Sequence, residues 1–111
     1  MFLRNRWYVA AFSEDLAGKP LGRTLLGEPV VLFRLADGAP VALEDRCVHR
    51  QAPLSLGEVV GDALRCSYHG LCFDATGACV RVPGQRAIPP GARVRAYPVA
   101  ESQGFVFVWI G

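Results

Sequence analysis

Histidine is almost missing from this chain, lysine and methionine are scarcer still, and no apolar run is long. There are two His and one Met, and of the twelve basic residues only Lys19 is a lysine. A membrane-spanning helix needs about 20 predominantly apolar residues in a row, and the nearest approach, Trp7 to Phe12, follows Arg4 and Arg6 and is ended by Ser13-Glu14-Asp15. That stretch also lacks the length and cleavage pattern of a secretory signal. The location is therefore expected to be cytoplasmic, where the four cysteines are read as ligands or free thiols rather than disulfides. An excess of one charge is lacking too. Twelve Lys plus Arg against ten Asp plus Glu leave +2, too little for a nucleic-acid footprint, so no nucleic acid and no membrane is expected as partner. The loose basic run Arg81, Arg86, Arg93 and Arg95 reads as a solvated face. No G-x-G-x-x-G, phosphate loop or H-E-x-x-H occurs.

The 111 residues are 51% hydrophobic, which suits one domain with a real core. Twelve Gly and eight Pro are too many for a helical bundle and suit short strands joined by turns. Strands are expected at Trp7 to Ala10, Leu21 to Leu26, Pro29 to Leu35, Val41 to Glu44, Leu71 to Asp74, Ala78 to Val82, Val94 to Val99 and Phe105 to Ile110. Ala36-Asp37-Gly38, Ala75-Thr76-Gly77 and Ser102-Gln103-Gly104 supply the hairpin turns. Ser13 to Leu16 is at best a helical turn, and Pro83 to Gly91 is a loop. The fold class is all-β, with small stacked sheets or a partly open barrel.

Two stretches fit neither periodicity, Asp45 to Leu56 and Arg65 to Gly70. The first holds Cys47-Val48-His49-Arg50 and the second Cys66-Ser67-Tyr68-His69-Gly70. Both histidines of the chain and two of its four cysteines fall in these loops. Taken singly, each would pass as a buried thiol or a surface histidine; taken together, they point to a metal site. Zinc accepts two Cys and two His, but its usual signature pairs like ligands at short spacing. Here each loop brings one thiolate and one imidazole, which matches the known ligation of a Rieske [2Fe–2S] centre. In such a centre two Cys hold one iron and two His the other.

The loops and their flanks resemble Rieske [2Fe–2S] domains. Asn5-Arg6-Trp7-Tyr8-Val9-Ala10-Ala11, Lys19-Pro20-Leu21-Gly22-Arg23, Ala52-Pro53-Leu54-Ser55-Leu56-Gly57 and Tyr68-His69-Gly70-Leu71 are similar to the amino-terminal domains of Rieske non-haem iron oxygenases of the vanillate O-demethylase and dicamba monooxygenase type. Gln51 departs from a common Gly, and Cys72 stands where a larger residue is usual. The resemblance implies a Rieske-type fold of small stacked antiparallel sheets over residues 1–111, with a two-loop cluster-binding subdomain at about 45–83. It implies a [2Fe–2S] cluster held by Cys47, His49, Cys66 and His69.

The resemblance also implies an electron-transfer role. The donor would be a flavin-containing or iron–sulfur reductase, and the acceptor the mononuclear non-haem iron of an oxygenase or O-demethylase catalytic domain. A mononuclear centre needs two further histidines and a carboxylate. Both histidines are already in the cluster loops, so this chain alone cannot oxygenate a substrate. It is expected to be the redox domain of a larger oxygenase, Met1 looking like a natural start and a catalytic domain following soon after Gly111. A free-standing Rieske ferredoxin is the alternative, and a structural zinc-binding interaction module is the remote one. The piece itself is expected to be monomeric.

High-potential relatives carry a disulfide between the loops and hydroxyl donors beside the cluster. The matching positions here are Ala52 and Tyr68 for the disulfide, and Leu71 and Phe73 for the hydroxyls. A potential at the low end of the range of roughly −150 to +300 mV is expected, falling with pH once a ligand imidazole ionises. Tyr68 is expected beside the cluster, Arg50 at an exposed docking tip, and Pro83-Gly84 over a third side. Cys72 and Cys79 are read as ordinary buried thiols, with a disulfide or a ligand role as the alternatives.

Overall fold

The computed structural model describes residues 3–47, 52–67, 70–84, 88 and 91–111. Among them, in chain order, are β1 (Arg6–Phe12), β2 (Leu21–Leu25), β3 (Glu28–Arg34), β4 (Pro40–Glu44), β5 (Glu58–Val60), β6 (Ala63–Arg65), β7 (Cys72–Phe73), β8 (Cys79–Arg81), β9 (Ala96–Tyr97), β10 (Val99–Ser102) and β11 (Phe105–Ile110). The only helical pieces among the described residues are single 3₁₀ turns at Ser13–Asp15 and Leu54–Leu56, so the all-β expectation holds. No helix among them is long and apolar enough to cross a membrane.

The strands form three antiparallel sheets, ordered β1-β11-β10, β2-β3-β4-β9 and β5-β6-β7-β8. The second sheet is the middle layer, and β3 shows why. Its Val30-Val31-Leu32-Phe33 run does not alternate with polar residues, and all four are fully buried. Val31 and Phe33 pack with Val41 and Leu43 of β4 into a core shared with the third sheet and its loops. Val30 and Leu32 pack with Ala42 into a second core beneath β11. A strand covered on both faces carries apolar residues in both rows. The first sheet does alternate. Val106, Val108 and Ile110 are buried, while Phe105, Phe107 and Trp109 face outward. A register shift between Val9 and Ala11 lets the neighbours Ala10 and Ala11 both turn inward, as a bulge does.

The expected turns are present. Gly38 has φ +92° and Gly77 φ +85°, while Gln103 and Gly104 are both left-handed, as a tight hairpin turn requires. Arg34, at the end of β3, ties the layers together. Its guanidinium donates to the carbonyls of Leu16, Ser13 and Gly38 and, through two nitrogens, to the Glu101 carboxylate of β10.

Two expectations are corrected. Val94 to Val99 is not one strand: only Ala96–Tyr97 pairs with β4, and Val99 opens β10 in the first sheet. Pro98 lies between them. It has no N–H to give a ladder, its carbonyl accepts from Trp109 N, and the chain changes sheets there. The second correction is an extra hairpin, β5–β6, which turns through Gly61 at φ +60° between the two loops that carry the Cys–His pairs.

Candidate metal centre

The first loop leaves β4 and the second joins β6 to β7. Each is closed at its base in the same way. Cys47 N donates to Ala52 O at 2.8 Å, and Cys66 N donates to Leu71 O at 2.7 Å. In both cases the cysteine amide reaches the carbonyl five residues on, so each loop is cinched directly behind its cysteine. Cys47 and Cys66 are buried in the same core, with Leu54, Leu64, Leu71 and Phe73. None of the four cysteines forms a disulfide.

Side chains outside the loops brace them. Ser55 N and Oγ donate to the two carboxylate oxygens of Asp45 at 2.7 and 2.6 Å, which ties the far limb of the first loop to its start. Gly22 of β2 lies against that pair, since a Cβ there would come within 2.9 Å of Ser55 Oγ. Gly57 has no room for any side chain: a Cβ would sit 1.9 Å from Arg65 O, so the first loop runs hard against β6. Gly70, at φ +71°, lies under Pro83, whose Cγ would be 3.3 Å from a Cβ. Pro83 therefore sits over the second loop.

The register of the third sheet lines up Glu58, Arg65, Cys72 and Arg81, one residue from each strand. These four face a cavity of about 610 Å³ that Cys66, Ser67, Gly70 and Pro83 also line. Glu58 and Arg65 form an ion pair across the strands. Cys72 and Cys79 point to opposite sides. Cys72 faces the cavity and Cys79 lies in the core opposite Phe73, where burial pushes its thiol up, with Cys47 and Cys72 adding to the effect. Both are ordinary buried thiols, in line with the expectation. The basic run is not simply a solvated face. Arg93 donates to Thr76 O, and Arg95 pairs with Glu28 at 3.2 Å and lies 4.5 Å over the Tyr97 ring.

His49, His69, Arg50, Gln51, Tyr68 and Arg86 lie outside the described residues. Of the four expected ligands, Cys47 and Cys66 are therefore the two that the structure brings together. The donor set fits a [2Fe–2S] centre. Two buried thiols open two loops of matched closure, and each loop carries one histidine two or three residues after its cysteine. Among the described residues no three His, Cys, Asp or Glu side chains gather into another metal site. The residues missed from the sequence are the braces, Asp45, Ser55, Gly22 and Gly57. The spacing of Asp45 and Ser55 carries no helical or strand period that would have paired them.

A cluster-binding β-domain of this kind has a family. The Rieske [2Fe-2S] domain model matches residues 6–98, and the chain belongs to that family; its cofactor is the Rieske-type [2Fe–2S] cluster, and its role is electron transfer. The chain is 52% identical over 112 residues to the toluene-4-sulfonate monooxygenase system iron-sulfur subunit TsaM1 of Comamonas testosteroni, covering 100% of this chain and 32% of that protein. It is 50% identical over 111 residues to the dicamba O-demethylase, oxygenase component, of Stenotrophomonas maltophilia, covering 99% and 33%. The crystal structure of apo dicamba monooxygenase superposes with a TM-score of 0.95 at 50% identity, over 99% of this chain and 34% of that one. The chain thus spans about a third of the length of these relatives. The family removes the zinc-module alternative.

Proposed function

We propose that this chain is the electron-entry domain of a Rieske non-haem iron oxygenase acting on an aromatic compound, as an O-demethylase or monooxygenase. In this reading Cys47 and Cys66 hold one iron of the cluster and His49 and His69 the other, within a cluster-binding subdomain of about residues 45–83. The donor is a flavin-containing or iron–sulfur reductase. The acceptor is a mononuclear iron in a catalytic domain that the 111 residues do not contain. A cytoplasmic setting, in which thiols stay reduced, belongs to the same reading.

The observation that carries it is the pair of buried cysteines at the mouths of two identically closed loops. The cluster supplies reversible one-electron storage. The chain's own residues position it and set its surroundings. The amides of Cys47 and Cys66 are committed to Ala52 and Leu71, which fixes the backbone at both cysteines. Leu71 and Phe73 are buried and carry no hydroxyl, and Pro83 lies over the second loop. The lack of a hydroxyl at these two positions leaves the reduced cluster less stabilised, which favours a potential at the low end of the Rieske range.

The test is electron paramagnetic resonance of the anaerobically reduced holoprotein, with a redox titration. A rhombic signal with an average g value below that of all-cysteine clusters, and a midpoint below 0 mV on the Rieske scale of roughly −150 to +300 mV, is the expected result. A midpoint well above zero would sink the low-potential reading. Loss of the signal on His49→Ala or His69→Ala, but not on Cys72→Ser or Cys79→Ser, is expected for the assigned ligands.

A further inference from the structure

The outward face of the third sheet is hollow, and its lining is chemically mixed. Along β5 and β6 the residues alternate. Val59 and Leu64 turn to the core, while Glu58, Val60 and Arg65 line the cavity on the other side. On β8 a regular alternation would put Cys79 and Arg81 on one face. The register shift between Cys72 and Phe73 parts them, leaving Cys79 in the core and Arg81 at the cavity, as a bulge does. The volume of about 610 Å³ lies within the range of roughly 300–1,000 Å³ common for small-molecule sites.

The charges and the walls indicate what kind of occupant fits. The guanidinium groups of Arg65 and Arg81 line the cavity with one carboxylate, that of Glu58, which leaves an excess of positive charge among the described lining residues. Glu58 is paired with Arg65, whereas Arg81 enters no ion pair among the described residues. A guanidinium in this state can receive a carboxylate or sulfonate through two parallel N–H donors. A cation is disfavoured, because the carboxylate is already engaged by Arg65. The remaining walls do not suit a bare inorganic ion. Leu56 is 70% exposed and Val60 45%, and with Pro83 they present apolar surface to the same cavity, where covering it is favourable.

We propose that this cavity is a binding site for a small apolar monoanion, an organic acid with one carboxylate or sulfonate on an apolar body. The head lies on the Arg81 guanidinium and the body against Leu56, Val60 and Pro83. Cys66, Ser67 and Gly70 belong both to the cavity wall and to the second cluster loop, so the bound charge sits beside that loop. Cluster potential responds to nearby charge, and a held anion makes the added electron less favourable. Occupancy therefore lowers the midpoint, a consequence that rests on the electron-transfer role assigned above.

Equilibrium dialysis of the cluster-loaded chain against radiolabelled benzoate, at fixed ionic strength, tests the site. One site per chain is expected, with a dissociation constant of about 0.1–1 mM. Arg81→Gln is expected to weaken binding about tenfold. Leu56→Glu, which sets a negative charge among the apolar walls, should do the same. Both positions are exposed, so the melting temperature should not move. Arg6→Gln, the same loss of charge on the first sheet, should leave binding unchanged. Hexanoate and benzenesulfonate are the competing probes: displacement by both fits the shared chemistry, and displacement by benzenesulfonate alone narrows it to a rigid ring. Acetate and benzylamine should not compete. No saturable binding of benzoate overturns the proposal, and so does equal binding by the Arg81→Gln chain or competition by benzylamine. In a parallel redox titration the midpoint is expected to fall as benzoate is added and to stay in place for Arg81→Gln. A midpoint unmoved at saturation overturns the coupling to the cluster. A chain that shows no cluster signal refutes the electron-transfer assignment, while the dialysis still decides the site.

Discussion

The carboxylate of Glu101 receives two nitrogens of Arg34, at 2.9 and 2.7 Å, and this holds its pKa down at about 2. Because the folded value lies below the ordinary carboxylate range, the pair stabilises the fold fully above about pH 4.5. That stabilisation is lost as the pH falls toward 2 and the group takes up a proton. The expected outcome is a melting-temperature gap between the wild-type chain and Glu101→Gln that is constant from pH 6 to 8, shrinks below pH 4.5 and closes near 2. A gap that does not change over this range would reject the pairing as the cause. At this scale the sequence was uneven in what it disclosed. Two Cys–His loops are visible because histidine is so scarce. Arg34 is invisible as a clamp, since its five bonds reach four residues on three separate segments that only the fold brings together.

Among the elements, the first loop depends on a single carboxylate. Asp45 accepts from both Ser55 N and Ser55 Oγ, and bonds to a charged acceptor are worth more than neutral ones. Asp45→Ala is expected to cost about 1–3 kcal/mol in chemical denaturation. It should also lower the iron content per chain, while Asp62→Ala, on the Gly61 turn, leaves the iron content alone. Equal iron content in both variants would remove the brace from the account of the site. Longer strands such as β3, β4 and β11 were readable from their apolar runs. β5 and β6 were not, because three residues are too few to display an alternation. The Val94 to Val99 run misled for the opposite reason. Its apolar residues are real, but Pro98 divides them between two sheets.

For the molecule as a whole, the decisive feature is that both cores rest on the same middle sheet. The first sheet carries Trp7 and Trp109, and the third sheet and its loops carry the cluster site. With β3 and β4 common to both cores, neither half can lose its packing while the other keeps its own. Thermal unfolding followed by tryptophan fluorescence and by the visible absorption of the cluster is therefore expected to give one midpoint. Two midpoints separated by more than the error of the scan would show that the halves melt independently. The all-β class and the Cys–His loops could be read from composition and spacing. The sharing of one sheet could not, because an unbroken apolar run looks the same whether one neighbour or two lie beyond it.

The same strand has a genetic consequence. Along β3, odd-numbered Val31 and Phe33 serve one core and even-numbered Val30 and Leu32 the other. Interchange among Val, Ile and Leu at any one position disturbs a single side. Deletion or insertion of one codon reverses the parity of every residue downstream of it in the strand, handing each core the side chains shaped for the other. β3 is thus a segment that tolerates drift in spelling and resists the gain or loss of a single residue.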